Sequence, residues 1–442
     1  MAAPAAQLRK HLSAPGLLRA IRQTFAVIPD HRGGEPPIPL ADALMSGLAM
    51  FGLKYPSLLK FDEAYGDEAT LRHNLKTLYG VAHAPCDTQL RTIADPVNPA
   101  HLRPAFRAVH SAVQRGKALE EYEYLDGHYL LSVDGTGHYA SSAISCPECC
   151  VKNKGQANES YYHQLLAAVI VHPELKTVLP LMPEAITRQD GATKNDCERN
   201  AAKRLLRALR EDFPKLKLIV VEDSLASNGP HIELLQALDM RYILGAKPGD
   251  HQALFETVPQ HWLNGQCQEL TQIDQQGVEH RYRWVNAIAL NQSHPDLKVN
   301  FLAYWQIKDG QETHWSWVTD IPLSAETVET VMRAGRTRWK VENETFNTLK
   351  NQGYHLEHNY GHGCQHLSTV FATLTMLAFL VDQVQELGCR LFQAARARFR
   401  SRTSLWERMR AFFTDFRLPD WTTLWRAIAD KYSGPELILD TS

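Results

Sequence analysis

Apolar positions along this chain change period twice, and each change marks a boundary. From Leu40 to Phe51 they recur at helical spacing, after the turn-rich segment Pro29-Asp-His-Arg-Gly-Gly-Glu-Pro-Pro. Asp87-Thr-Gln-Leu-Arg-Thr-Ile-Ala opens a further helix, with Asp87 or Thr88 as its N-cap. Residues 1–120 therefore read as helical. Past Tyr124 the apolar residues cluster into short runs instead. Tyr129–Val133 predicts a strand ending at Asp134, Tyr139–Ile144 a second, and Leu165–Val171, bounded by His172-Pro173, a long third. A helix follows from Asp196 to Arg210, capped by Asn195 or Asp196. Then come a strand at Leu216–Val221, a helix at His231–Leu238 and a strand at Tyr242–Ala246.

The second change falls at about residue 248. Tyr282–Leu290, Val299–Trp305 and Trp315–Val318 are β-like runs separated by polar turns, which predicts a β-rich insertion over 248–318. A helix from Ser324 to about Asn351 resumes the earlier pattern, and everything after Leu367 reads as helical and basic. The fold class is thus α/β, a mixed sheet with helices on both faces. Helical regions at 1–120 and 367–442 flank a core split into 121–247 and 319–366.

The net charge of −2 over 442 residues argues against a nucleic-acid partner only if charge is spread evenly. It is concentrated. Arg390, Arg396, Arg398, Arg400, Arg402, Arg408 and Arg410 stand against Glu407 alone, and Arg9, Lys10, Arg19, Arg22 and Arg32 form a smaller cluster. Local basic density sets phosphate affinity, although a solvated helix face has the same composition. The same two readings apply to Lys194, Arg199, Lys203, Arg204 and Arg207. The N-terminus lacks an apolar signal core. The stretch Leu367–Val384 is interrupted by Ser368, Thr369, Thr373, Thr375, Asp382 and Gln383, so it reads as a buried helix with no membrane role. Eight cysteines in this length do not suggest a disulfide framework, which points to the cytoplasm.

Three acids carry the candidate chemistry. Asp134 and Asp223 each end an apolar run, Tyr-Leu-Leu-Ser-Val-Asp-Gly-Thr-Gly and Leu-Lys-Leu-Ile-Val-Val-Glu-Asp-Ser. Glu342 lies in Arg-Thr-Arg-Trp-Lys-Val-Glu-Asn-Glu-Thr-Phe-Asn-Thr-Leu-Lys. Alone, each aspartate is an ordinary turn residue, and Glu342 is half of an i,i+4 pair with Arg338. Together they form the oxygen ligand set that a hard divalent cation needs for phosphoryl transfer. On a helical wheel Glu342 shares an arc with Arg338, Phe346 and Leu349 beside the core, while Glu344 looks outward.

Val-Asp-Gly-Thr, the strand-terminal Asp223 and Arg-Trp-Lys-Val-Glu-Asn resemble the three acidic motifs of bacterial insertion-sequence DDE transposases, in the branch with a β-rich insertion before the glutamate helix. The resemblance spans about 120–360. It implies a ribonuclease H-like core, with Asp134, Asp223 and Glu342 as catalytic and metal-binding residues. The metal would be Mg²⁺, with Mn²⁺ able to substitute. It further implies cleavage of double-stranded DNA at transposon ends and strand transfer by a homodimer on the bacterial nucleoid. Arg338 and Glu342 match the signature that follows the insertion. Gly335 stands where that signature has tyrosine and Leu349 where it has lysine, which leaves Arg336 and Lys350 as stand-ins for gripping DNA. An insertion-domain tryptophan stacks on a flipped base in this branch, and Trp284, near Arg281 and Arg283, is the candidate here. The N-terminal helices and Arg396, Arg398, Arg400 and Arg402 would hold the end sequences. Rival readings are a ribonuclease H-like nuclease or resolvase without joining activity, and a domesticated, non-catalytic DNA-binding protein.

Cys146-Pro-Glu-Cys149 has the spacing of a zinc knuckle, for which His163, Cys197, Cys364 and His366 are possible partners. Ordinary buried thiols are the first reading and a structural zinc the second. His355, His358, His362 and His366 follow the glutamate helix without an assignable role.

Overall fold

The computed structural model describes residues 10–187 and 198–430. Arg9, Lys194, Asn195, Asp196 and Cys197 lie outside the described residues, as does the side chain of Lys10. The helix expected from Asp196 is described from Glu198 to Asp212 and buries Ala201, Ala202, Leu205, Leu206 and Leu209.

One mixed sheet organises the molecule. Its strands are β1 (Tyr129–Ser141), β2 (Cys150–Lys152), β3 (Ser160–Val171), β4 (Leu179–Pro180), β5 (Glu184–Ile186), β6 (Leu218–Glu222), β7 (Arg241–Gly245), β8 (Gln268–Ile273), β9 (Glu279–Asn291), β10 (His294–Lys308) and β11 (Gln311–Thr319). The order is β2-β3-β1-β6-β7-β11-β10-β9-β8, with β4 and β5 also pairing β3. β1 runs antiparallel to β3 and parallel to β6, and β6 runs parallel to β7. Antiparallel pairing on one side of β1 and parallel pairing on the other is the ribonuclease H-like arrangement. The continuous apolar runs of β3 and β6 reflect burial on both faces.

Three expectations need correcting. The strands predicted on either side of Asp134 are one strand, because β3 pairs across the whole of Asp134–Gly137 with a register shift only between Gly137 and Tyr139. The insertion contains a helix, Gln252–Leu263, and its strands extend the core sheet through β11 against β7, with Trp317 opposite Gly245. The helix expected over Ser324–Asn351 is broken. An α-helix covers Val328–Arg336, a wider π-type turn covers Val341–Phe346, and a short α-helix covers Asn347–Asn351.

The two helical ends of the chain form one body. Leu367–Gly388 is long enough and apolar enough to cross a membrane, with mean hydropathy 1.6, but that stretch is wholly buried within the protein. It packs on Leu40–Gly52, where a Cβ on Gly47 would stand 3.1 Å from Leu374 Cδ1, so glycine permits the close approach. Asn74 donates to Phe413 O (2.9 Å) and Phe416 O (2.8 Å) and accepts from the Leu418 N–H (2.8 Å).

Inside this body Lys54 is fully buried and paired with Asp382, which also accepts from Tyr354 Oη at 2.7 Å. The Lys54 ammonium stands 4.1 Å from the Trp406 ring centroid and 4.5 Å from that of Tyr354. Removing one partner strands the other charge in an apolar setting. Lys54→Met should therefore cost about 3–5 kcal/mol in denaturant unfolding, and the double variant Lys54→Met/Asp382→Leu should recover most of that loss.

Candidate active site

Strand pairing brings the two aspartates together. The last parallel pair of β1 and β6 is Ser132 with Val221. Asp134 and Asp223 each lie two residues beyond it, side by side just past the end of the β1–β6 ladder, Asp134 within the continuing strand β1 and Asp223 directly after β6. Asp134 Oδ1 accepts from its neighbour Gly135 N–H (2.8 Å), and Asp223 Oδ1 accepts from Leu225 N–H (2.9 Å). Side chains alternate along a strand, so Glu222 faces the other way and pairs with buried His231 at 2.6 Å.

The third acid arrives through Arg338. Buried Ser132, on β1, donates its hydroxyl to Arg338 O at 3.0 Å and ties the turn after the Val328–Arg336 helix to the strand bearing Asp134. The Arg338 guanidinium then bridges Asp134 Oδ2 (3.1 Å) and Glu342 Oε1 (2.6 Å), and it feels the charge of Asp223 as well. The expected i,i+4 pair is present and extends to a second acid. The wheel argument needs correction, however. Glu342 lies in the π-type turn, its side chain is 48% exposed, and Glu344 is the less exposed of the two. Wider turns of this kind are frequent at functional sites.

Asp134 and Glu342, both held by Arg338, stand close enough for a hydrogen bond between their carboxyls. Burial and that bond push the Asp134 carboxyl up to about 7. On Glu342 burial also pushes upward, but hydrogen bonds from Arg338 and Asp134 outweigh it and the carboxyl falls below its ordinary value. Two carboxyls held this close ionise together only when a positive charge joins them. Their oxygens, with those of Asp223, suit a hard cation such as Mg²⁺.

The other expected site residues are scattered. Lys350 pairs with Glu357 (2.7 Å) on the exterior, while Leu349 beside it is fully buried, which is why lysine does not occupy position 349. Gly335 packs under Trp317, where a Cβ would meet the indole at 2.5–2.6 Å, so no tyrosine fits there. Arg336 lies over the Trp315 ring at 4.6 Å and lines a cavity of about 620 Å³ with Arg333, Trp339 and Lys340. None of the three acids lines that cavity.

Trp284, expected to stack on a base, is only 3% exposed in the sheet interior, whereas Trp339 (41%) and Trp262 (38%) face solvent. Arg402 is committed to Glu386 at 2.6 Å, and Arg396 donates to Phe399 O at 2.7 Å. Arg398 is exposed and donates to Ala429 O, and Arg400 is exposed. Much of the C-terminal arginine density is therefore structural.

One acid near the site had not been singled out. Glu198 opens its helix with its carboxylate against Gly135, and burial together with the charges of Asp223 and Glu222 raises its pKa. Its position at the start of a basic helix was the only available signal.

Two acids beyond adjacent parallel strands of a ribonuclease H-like sheet, joined by a glutamate from a helical segment, define the DDE class of nucleic-acid-processing domains. The family described as the transposase DDE domain matches residues 126–380, more than half the chain, and the chain belongs to that family. No curated protein matches the sequence. The fold is similar to that of a piggyBac transposase in a synaptic complex with hairpin DNA, solved by cryo-EM. The TM-score is 0.41 and the identity 10%, over 93% of this chain and 82% of that one.

The raised Asp134 pKa has a stability signature. A folded-state value of about 7, above the ordinary 3.8, means the folded protein holds the proton more tightly. That contribution is complete below about pH 4 and is lost as pH rises through 7. Without added Mg²⁺, the wild type should lose thermal stability relative to Asp134→Asn steadily as pH rises through that window, because asparagine has no proton to lose. Saturating Mg²⁺ should stabilise the wild type above pH 7 and leave Asp134→Asn nearly unchanged.

Proposed function

We propose that this protein is a DNA transposase of the bacterial insertion-sequence kind, which cleaves double-stranded DNA at transposon ends and joins the freed 3′-OH to target DNA. The observation that carries the reading is the convergence of Asp134, Asp223 and Glu342 at one sheet edge in a chain of the transposase DDE domain family. Mg²⁺, held by these three carboxylates, would supply charge neutralisation and an activated oxygen nucleophile at neutral pH.

The chain's own residues set the geometry. β1 and β6 fix the two aspartates, which leaves Glu342 as the adjustable member on its π-type turn. Arg338 holds Glu342 against Asp134 and offsets part of their repulsion. Hydrolysis of the end phosphodiester frees a 3′-OH, and attack of that 3′-OH on target DNA is the same in-line substitution with a different oxygen. One acid set therefore serves both steps. Arg333, Arg336 and exposed Trp339 form a basic, aromatic surface suited to phosphate and base contact near Arg338, while buried Lys340 is spent on the Pro173 and Leu175 carbonyls. Arg398 and Arg400 extend the basic surface on the helical body. Pairing of two ends requires two copies, which makes a homodimer on DNA the working assembly.

A labelled-end DNA assay tests this. The wild type with Mg²⁺ should yield both cleaved and joined products. Asp134→Ala, Asp223→Ala and Glu342→Ala should each lose at least about 10²–10³-fold, the scale of removing one transition-state charge contact. Cleaved ends without joined products would favour the nuclease reading. Full activity in all three variants would remove the acids from the chemistry.

A further inference from the structure

Cys146, Cys149, His163 and His362 form a cluster whose ligand atoms all lie within 4.8 Å of one another. Cys146 Sγ and Cys149 Sγ are 3.8 Å apart. His163 Nε2 stands 3.4 Å from each sulfur. His362 Nε2 stands 3.2 Å from Cys149 Sγ and 3.2 Å from His163 Nε2. A tetrahedral zinc with Zn–S of about 2.3 Å and Zn–N of about 2.0–2.1 Å demands S···S, S···N and N···N separations of about 3.8, 3.6 and 3.3 Å. The sulfur pair is too far apart for a disulfide, which needs about 2.05 Å.

The surroundings orient these atoms. His362 Nδ1 donates to Gly363 O at 3.1 Å, which leaves the Nε2 lone pair facing the cluster. The Cys146 N–H donates to Cys149 Sγ at 3.4 Å, a bond that stabilises a thiolate. Gly361 (φ +125°) and Gly363 (φ +71°) adopt the left-handed backbone that turns His362 inward. Beside the cluster, His366 pairs with Glu148 at 3.0 Å, and Asp95 accepts from the Cys364, Gln365 and Leu367 N–H groups. Cys149, His163 and His362 are 0%, 2% and 7% exposed. Two imidazole nitrogens and two sulfurs, one sulfur buried and one partly buried, are poorly matched to each other and well matched to a borderline-soft cation.

We infer that this cluster is a structural Cys₂His₂ zinc site, separate from the carboxylate site. It joins the loop between β1 and β2 (Cys146, Cys149), strand β3 (His163, opposite Tyr139 of β1) and the segment after the glutamate turn (His362). The clamp fastens the chain that leaves Glu342 to the far end of the strand that carries Asp134. All four positions are filled by protein, which marks the site as structural. Of the partners foreseen for the cysteines, His163 takes part. His366 turns to Glu148, Cys364 is exposed, and His362 supplies the fourth ligand.

The test is metal content of the purified full-length protein by mass spectrometry, with cobalt substitution as a second measurement. The wild type should carry one zinc per chain. Cys149→Ala and His362→Ala should lower that content at least about tenfold, since even loss of a supporting contact weakens a zinc site 10–100-fold. Cys364→Ala and Asp134→Asn should retain zinc. A thiol-specific mercurial should release it from the wild type, a readout that does not depend on a variant folding. Co²⁺ in its place should give the intense visible bands of a tetrahedral site with thiolate-to-metal charge transfer. Wild-type protein that neither carries zinc nor takes it up, a weak octahedral cobalt spectrum, or zinc lost in Asp134→Asn and kept in Cys149→Ala would each overturn the assignment.

Discussion

Parallel pairing of β1 with β6 is the constraint on which the rest of the site depends. It places Asp134 and Asp223 at the same distance past Ser132 and Val221, although 89 residues separate them in the chain. A one-residue slip in this pairing would turn one carboxylate to the opposite face of the sheet, because strand side chains alternate. Antiparallel pairing with β3 resists such a slip, since it runs along nearly all of β1 and straight through Asp134. The central strand is thus held from both sides at the point where it presents an acid.

The glutamate has no comparable ladder to hold it. It depends on specific contacts: the Ser132 hydroxyl to Arg338 O, and the Arg338 guanidinium to Asp134 and Glu342. The arrangement is electrostatically poised. Arg338 supplies one positive charge against three acids, so the site remains short of positive charge until a cation joins it. Glu342 is about half exposed, so its ion pair with Arg338 is partly screened by solvent.

The parts of this structure governed by local apolar pattern were legible in the chain. Runs ending at Asp134 and Asp223 became β1 and β6, and the apolar stretch after Leu367 became a buried helix, because burial of those runs is required whatever the neighbours are. Features set by long-range packing were not legible. The π-type turn at Val341–Phe346 breaks the 3.6-residue period on which a helical wheel relies, so the wheel chose Glu342 for a burial difference that the structure reverses. Trp284 looked available because arginines flank it, yet strand alternation turns it inward. The arginines after Arg390 looked like a phosphate surface, but backbone carbonyls and Glu386 had first claim on several of them. The departures at Gly335 and Leu349 are packing choices, made by Trp317 and by the core.

The Cys/His cluster and the carboxylate site divide one strand between two kinds of cation chemistry. Thiolate and imidazole favour zinc, while carboxylates favour magnesium, so the ligand sets themselves keep the two cations apart. The cluster grips His163 opposite Tyr139, five residues along β1 from Asp134, and His362, twenty residues beyond Glu342. The segment carrying the glutamate is then held at one end by the Ser132–Arg338 bond to β1 and at the other by the clamp. Between these two anchors lie the π-type turn, the short helix Asn347–Asn351 and an irregular loop with positive φ at Gly353, His355 and Gly361. An acid carried between two anchors keeps its place beside Asp134. This division of labour explains why the helical body and the cluster, neither of which touches the carboxylates, belong to the same working unit as the acids.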